Sequence, residues 1–277
     1  MQRRAWFEIH DHRLFPRFLR DMQTDILQAI WNNQNIYAPV VPRLRQALRA
    51  ADANRIVDLC SGGGGPWLKL SRTFAKEGNS PEICLTDIYP NLGAFERLRK
   101  ETPLDFCPDP VNAMQIPSEL HGFRTLFTSF HHFDPHQARA ILKDAFDARQ
   151  GIGIFESSIR EARTLLGVFL LPLLILLLVP GIRPFRWSLL FYSYLVPIIP
   201  FVVWMDGVLS CLRSYSQKDL SELIAGLEAE DYRWSVGIER GPLVSVAYLI
   251  GHPVQRDCSE AGEPAVEAAE IEKAAYS

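Results

Sequence analysis

Asp58-Leu59-Cys60-Ser61-Gly62-Gly63-Gly64-Gly65-Pro66 decides how this chain is read. It follows the apolar run Arg55-Ile56-Val57-Asp58-Leu59, which has the composition of a short buried strand. It precedes a segment whose Leu68, Leu70 and Phe74 suit a helix. Four glycines between a strand and a helix let the backbone turn sharply and approach a ligand with no Cβ in the way. No Gly-Lys-Ser/Thr follows, so this is no phosphate-binding P-loop, and the glycine order is not that of a dinucleotide site.

Outward from the loop, strand and helix signals alternate. Glu82 to Thr86 reads as a second strand ending at Asp87, and Leu92 to Lys100 as a helix. Arg124 to Ser129 and Gly151 to Phe155 are further strands, with a helix from Pro135 to Ala148 between them. Such spacing predicts βαβ units and a mainly parallel, Rossmann-like α/β sheet, with ligands beyond the C-terminal ends of its strands. A helix over Gln217 to Glu230 and two strands around an Arg-Gly-Pro turn, Tyr232 to Glu239 and Leu243 to Ile250, predict a closing antiparallel hairpin.

The expected organisation is a helical cap over 1–51, a core over 52–163 and an inserted apolar helical hairpin over 164–205. The core resumes over 206–258, and 259–277 is a tail. Within the cap, Asp21 to Ala51 reads as two short helices, the second opened by Pro42.

The bulk numbers exclude little. The net charge of -3, from 29 Lys and Arg against 32 Asp and Glu, offers no electrostatic reason for a nucleic-acid partner. Five scattered cysteines lack C-x-x-C spacing and suit a reducing compartment. No apolar stretch precedes a small-residue cleavage site at the start, so the expected location is the cytoplasm. His10, Asp11 and His12 match no strong metal template, and no metal site is expected.

The order Asp58 to Gly64, Asp87, Asn112-Ala113-Met114-Gln115-Ile116-Pro117, then Phe127-Thr128-Ser129-Phe130-His131-His132-Phe133 resembles the class I S-adenosylmethionine-dependent methyltransferases. The resemblance covers Arg55 to Phe155 and, by order of elements, Gln217 to Ile250. It implies S-adenosylmethionine as cofactor, with Cys60, Ser61, Gly62 and Gly64 around the methionine portion. It also implies Asp87 on the ribose hydroxyls and Asn112 or Ala113 beside adenine. Cys60 stands where the family usually has its first glycine, and Asn112 where it often has aspartate.

From the residues themselves, Asp58 suits the positive end of a zwitterionic ligand, and Ser129 lies just past a strand end. His132, His131 and Glu156 are the expected catalytic group, near the approach of an acceptor to an already activated methyl. Plainer readings stay open: Asp87 as a turn cap, and the His131 to Asp134 stretch as a turn with a capping Asp and a packed His. Tyr37 and Trp67 are candidates for stacking on a ligand.

Thr164 to Ile182 and Trp187 to Met205 are uncharged runs of 19 residues each, with Arg183 and Arg186 between them. Each approaches the length that crosses a bilayer, about 20 residues. Prolines 172, 180, 184, 197 and 200 predict broken helices. The readings are contact with the cytoplasmic face of a membrane, a hydrophobic lid or homodimer surface, and true spanning. The functional expectation is therefore methyl transfer to a small or lipid-like molecule. The rivals are an NAD-linked oxidoreductase and a non-catalytic membrane-associated module.

Overall fold

The computed structural model describes residues 8, 9, 12, 14–76, 78 and 80–254. His10 and Asp11 of the histidine cluster, Cys258, and the tail from Ser259 lie outside them.

Five parallel strands and an antiparallel hairpin make one seven-stranded sheet in the order β3-β2-β1-β4-β5-β7-β6. The strands are β1 (Arg55–Asp58), β2 (Glu82–Leu85), β3 (Asp105–Phe106), β4 (Phe123–Phe127), β5 (Ile152–Glu156), β6 (Tyr232–Arg240) and β7 (Ser245–Pro253). β4 and β5 are buried along their whole length, as strands covered on both faces must be. β7 runs antiparallel to both β5 and β6, as the closing hairpin predicts.

Helices cover both faces. α1 (Arg17–Asn33), α2 (Val41–Ala50), α3 (Trp67–Lys76), α4 (Leu92–Glu101) and α5 (Pro135–Asp147) come first in the chain. α6 (Ala162–Leu178), α7 (Trp187–Leu190), α8 (Ile198–Arg213) and α9 (Gln217–Ile224) follow. One buried cluster joins Leu44, Trp67, Phe74 and Phe95 to the sheet, and another joins Ile141, Leu142, Leu220 and Leu223 to its opposite face.

A third cluster lies off the sheet. Leu19, Met22, Ile26 and Ile30 of α1 pack against Ile175, Val179, Leu189, Ile199 and Val203. The apolar insertion is thus seated on the N-terminal helix. Asp25 fastens the arrangement, reaching Arg97 of α4 at 2.8 Å and Arg186 of the insertion at 2.6 Å.

The strand order reverses between β1 and β4, because β2 and β3 lie on one side of β1 and β4 and β5 on the other. Loops leaving the two strands there diverge and leave a crevice at the carboxyl end of the sheet.

Candidate functional site

A cavity of about 720 Å³ opens at that crevice. The loop after β1 supplies Cys60, Ser61, Gly62 and Gly63, and the end of β2 supplies Asp87, Ile88 and Tyr89. Thr128, Ser129, His131 and His132 follow β4, and Ser157 and Ser158 follow β5. α1 contributes Arg20, Gln23 and Thr24, while Val168, Leu171, Leu174 and Val203 of α6 and α8 form an apolar wall. Polar groups from four strand ends thus face a greasy lid.

The glycine loop has two tasks. Gly62 and Gly64 adopt φ of 56° and 98°, conformations that side chains disfavour. A Cβ on Gly63 would stand 2.7 Å from the Thr24 carbonyl oxygen, and one on Gly64 would stand 2.0 Å from Leu98 Cδ1. The missing side chains therefore admit α1 and α4 as much as any ligand. The sequence reading assigned that space to a sharp turn and a ligand; helix packing takes part of it.

Asp87 ties the strand ends together. Its Oδ2 accepts from the Gly62 amide at 2.7 Å and its Oδ1 from the Tyr89 amide at 2.8 Å. Asp58 sits one layer behind: Oδ2 accepts from Ser61 Oγ at 2.6 Å and Oδ1 from Thr125 Oγ1 at 2.6 Å. Burial pushes its carboxyl up to about 7, although the Ser61 and Thr125 hydrogen bonds pull it down.

Beyond β4, His131 is enclosed by two acids. Its Nδ1 meets Glu156 Oε2 at 2.8 Å and its Nε2 meets Glu8 Oε1 at 3.2 Å. Burial alone lowers the affinity of this imidazole for its second proton, but Glu156 and Glu8 outweigh it and hold the group at about 10. His131 is thus an imidazolium at neutral pH. Glu156 also accepts from the amides of Phe130 at 2.7 Å and His131 at 3.3 Å. Arg213 donates to the carbonyls of His131 at 3.2 Å and His132 at 2.7 Å, and stands 3.7 Å from Glu8.

Donor atoms of Glu8, His131 and His132 lie within 4.8 Å of one another, close enough to hold a metal. The His131 imidazolium and the Arg213 guanidinium set two positive charges against Glu8 and Glu156.

Of the residues the sequence singled out, Cys60, Ser61, Gly62, Asp87, Ser129, His131 and His132 meet on the cavity wall. Asp58, Gly64 and Glu156 stand behind it. Asn112 and Ala113 are off the wall: the Asn112 side chain accepts from the Met114 amide at 3.0 Å, and Ala113 joins the core. Tyr37 and Trp67 do not stack on the cavity; both are buried with their ring edges against Phe127. Asp134 caps α5 in a reciprocal box with Gln137, as the plainer reading of that turn has it. Asp206 lines the cavity but accepts from the Ile9 amide and the Gln23 side chain.

Sequence reasoning missed Glu8, one acid in an arginine-rich start. It also missed the Thr164 hydroxyl on the wall; Thr164 Oγ1, like Oγ of the expected Ser129, is buried with no hydrogen-bond partner among the described residues. Buried orphans of this kind await a ligand or water.

No protein-family model matches the chain, and no curated protein matches it. Among solved structures it is similar to human N-acetylserotonin methyltransferase in complex with SAM, at 13% identity and a TM-score of 0.48 over 84% of this chain and 57% of that one. It is also similar to the CMeT domain of the citrinin polyketide synthase, at 12% identity and a TM-score of 0.49 over 83% and 56%. A third is LepI in complex with SAM, at 18% identity and a TM-score of 0.40 over 73% and 43%. The chain spans about half the length of these three structures.

Proposed function

We propose that this chain is a cytoplasmic S-adenosylmethionine-dependent methyltransferase acting on a small or lipid-like organic molecule. The observation that carries the reading is the single cavity at the β1/β4 reversal that joins the glycine loop, Asp87 and the buried hydroxyl of Ser129. The residues fit the cofactor by chemistry. Backbone at Gly62 and Gly63 lies on the wall where the methionine portion would run, and the Asp87 carboxylate on the same wall suits the ribose hydroxyls. Ile88 and Tyr89 offer apolar surface to the base on the same wall.

When bound, S-adenosylmethionine supplies a methyl on a sulfonium, whose sulfur leaves as a neutral thioether while the acceptor's lone pair bonds to the carbon. The protein then has to align the acceptor, exclude water and take up a proton. Ser129 and Thr164 hold the acceptor's polar group, and the wall of Val168, Leu171 and Val203 keeps water out. His132, on the wall with 21% of its side chain exposed, receives the proton. His131, already protonated between Glu8 and Glu156, positions His132 through a tilted ring contact at 4.4 Å between centroids. Glu156 acts through His131.

Calorimetry with S-adenosylmethionine, S-adenosylhomocysteine and NAD tests the reading. Saturable binding of both sulfur nucleotides is expected. Binding of NAD alone returns the oxidoreductase, and binding of none leaves the non-catalytic module.

A further inference from the structure

α6 and its continuation form a surface that contact with water does not explain. Within Ala162–Gly181 the most apolar 18-residue window has a mean hydropathy of 2.5, yet only 22% of it is buried. Leu166, Phe169, Leu170, Leu173 and Leu177 share one exposed face at helical spacing. Trp187, Leu195 and Phe201 extend the apolar exposure beyond α6, and Trp187 is 78% exposed.

Three observations select lipid over a second copy of the chain. First, between Ala162 and Met205 the only charged residues are Arg163, Arg183 and Arg186. Arg186 is already paired with Asp25, but a second copy of this face would bring no acid to the exposed Arg163 and Arg183, whereas anionic headgroups complement them. Arg183 is exposed beside Phe185 and Trp187, a cationic and aromatic edge suited to a membrane interface.

Second, Pro180 has no amide hydrogen, so the Leu176 carbonyl four residues back lacks its helical donor. Tyr194 Oη donates to it, from an exposed position. Water would satisfy that carbonyl without help, but hydrocarbon would not.

Third, Gly167 and Leu170 belong both to the cavity wall and to the exposed part of α6. The cavity therefore borders the apolar face.

The geometry points to one leaflet rather than a span. α6 is held along Ile175 and Val179 against α1, and Trp187–Leu195 meets Ile198–Arg213 at a 72° bend. Spanning would draw α1 into hydrocarbon.

We propose that the α6 to α8 face docks into one leaflet of an anionic lipid bilayer and seats the cavity on the membrane, so that the acceptor is an amphiphile drawn from the lipid phase. The acceptor half rests on the methyltransferase reading; the docking half does not.

Flotation with phosphatidylcholine vesicles, with and without phosphatidylglycerol, tests docking. The full chain is expected to float with the anionic vesicles and to stay bound in high salt. The variant F169E/L173E/L177E, checked for folding by circular dichroism, is expected to lose binding roughly tenfold or more. A folded triple variant that floats like the parent, equal binding to both vesicles, or a parent that ignores vesicles and runs as a dimer overturns the docking. Labelled methyl from S-adenosylmethionine is expected in an amphiphile of a membrane extract. Label confined to water-soluble products, while S-adenosylhomocysteine still binds, overturns the acceptor half alone. Loss of S-adenosylhomocysteine binding instead strikes the methyltransferase reading.

Discussion

At the scale of single residues, Asp87 and His131 make separable predictions. Asp87 receives two loop amides and faces the cavity, so Asp87→Ala removes a ligand acceptor without emptying the core. Its affinity for S-adenosylhomocysteine, measured by calorimetry, should fall at least tenfold, equivalent to roughly 2 kcal/mol. The His131 prediction concerns pH. A group whose proton is held more tightly folded than unfolded stabilises fully below its unfolded value and loses that contribution as pH rises through its folded value. For His131 the window runs from 6.5 to about 10. Urea unfolding should show stability declining across it by an amount on the order of a few kcal/mol. His131→Gln should flatten that decline while leaving the one below about pH 7, which comes from Asp58. A decline that survives His131→Gln unchanged would place the proton elsewhere. The sequence displayed Asp87 because a strand end announces it. Glu8, which completes the His131 network, had no such local mark, since its partner lies more than a hundred residues away.

At the scale of elements, what was legible depended on length and composition. β1, β2, β4 and β5 are apolar runs, and their boundaries in the fold lie within two residues of those read from the sequence. β3 was missed, because Asp105–Phe106 is too short to show alternation. α9 was read through Glu230 but ends at Ile224, where Gly226 at φ 76° turns the chain. The glycine loop was legible as a special turn, but its debt to α1 and α4 was not, since packing between distant helices leaves no local pattern. That debt predicts two outcomes. Gly63→Ala should force the Thr24 backbone away and lower stability by about 1–3 kcal/mol in urea unfolding. Gly64→Val should cost more, because it meets Leu98 and also needs a φ that a branched side chain resists. A Gly64→Val protein that unfolds like the parent would show that the space beside Leu98 is not needed.

At the scale of the whole molecule, the insertion is no detachable hairpin, because it completes both the α1 core and the cavity wall. Replacing 164–205 by a polar linker would strip Leu19, Met22, Ile26 and Ile30 of their partners, so a soluble truncated chain is not expected. Asp25 is the joint of this assembly. From α1 it pairs with Arg97 on the sheet layer and Arg186 on the insertion, and its own side chain is only 4% exposed. Removing it leaves two half-buried guanidiniums without their shared acid, a loss of about 2–3 kcal/mol once their residual exposure is allowed for. The loss should be local. In hydrogen exchange, Asp25→Ala should speed the amides of α1 and of Phe185 to Leu190, which lose their tie to each other. The amides of β1, β4 and β5, which lie in the other two buried clusters, should exchange as before. Faster exchange throughout the sheet would mean that the third cluster and the sheet unfold as one unit, and unchanged exchange in α1 would mean that apolar packing alone holds the insertion in place.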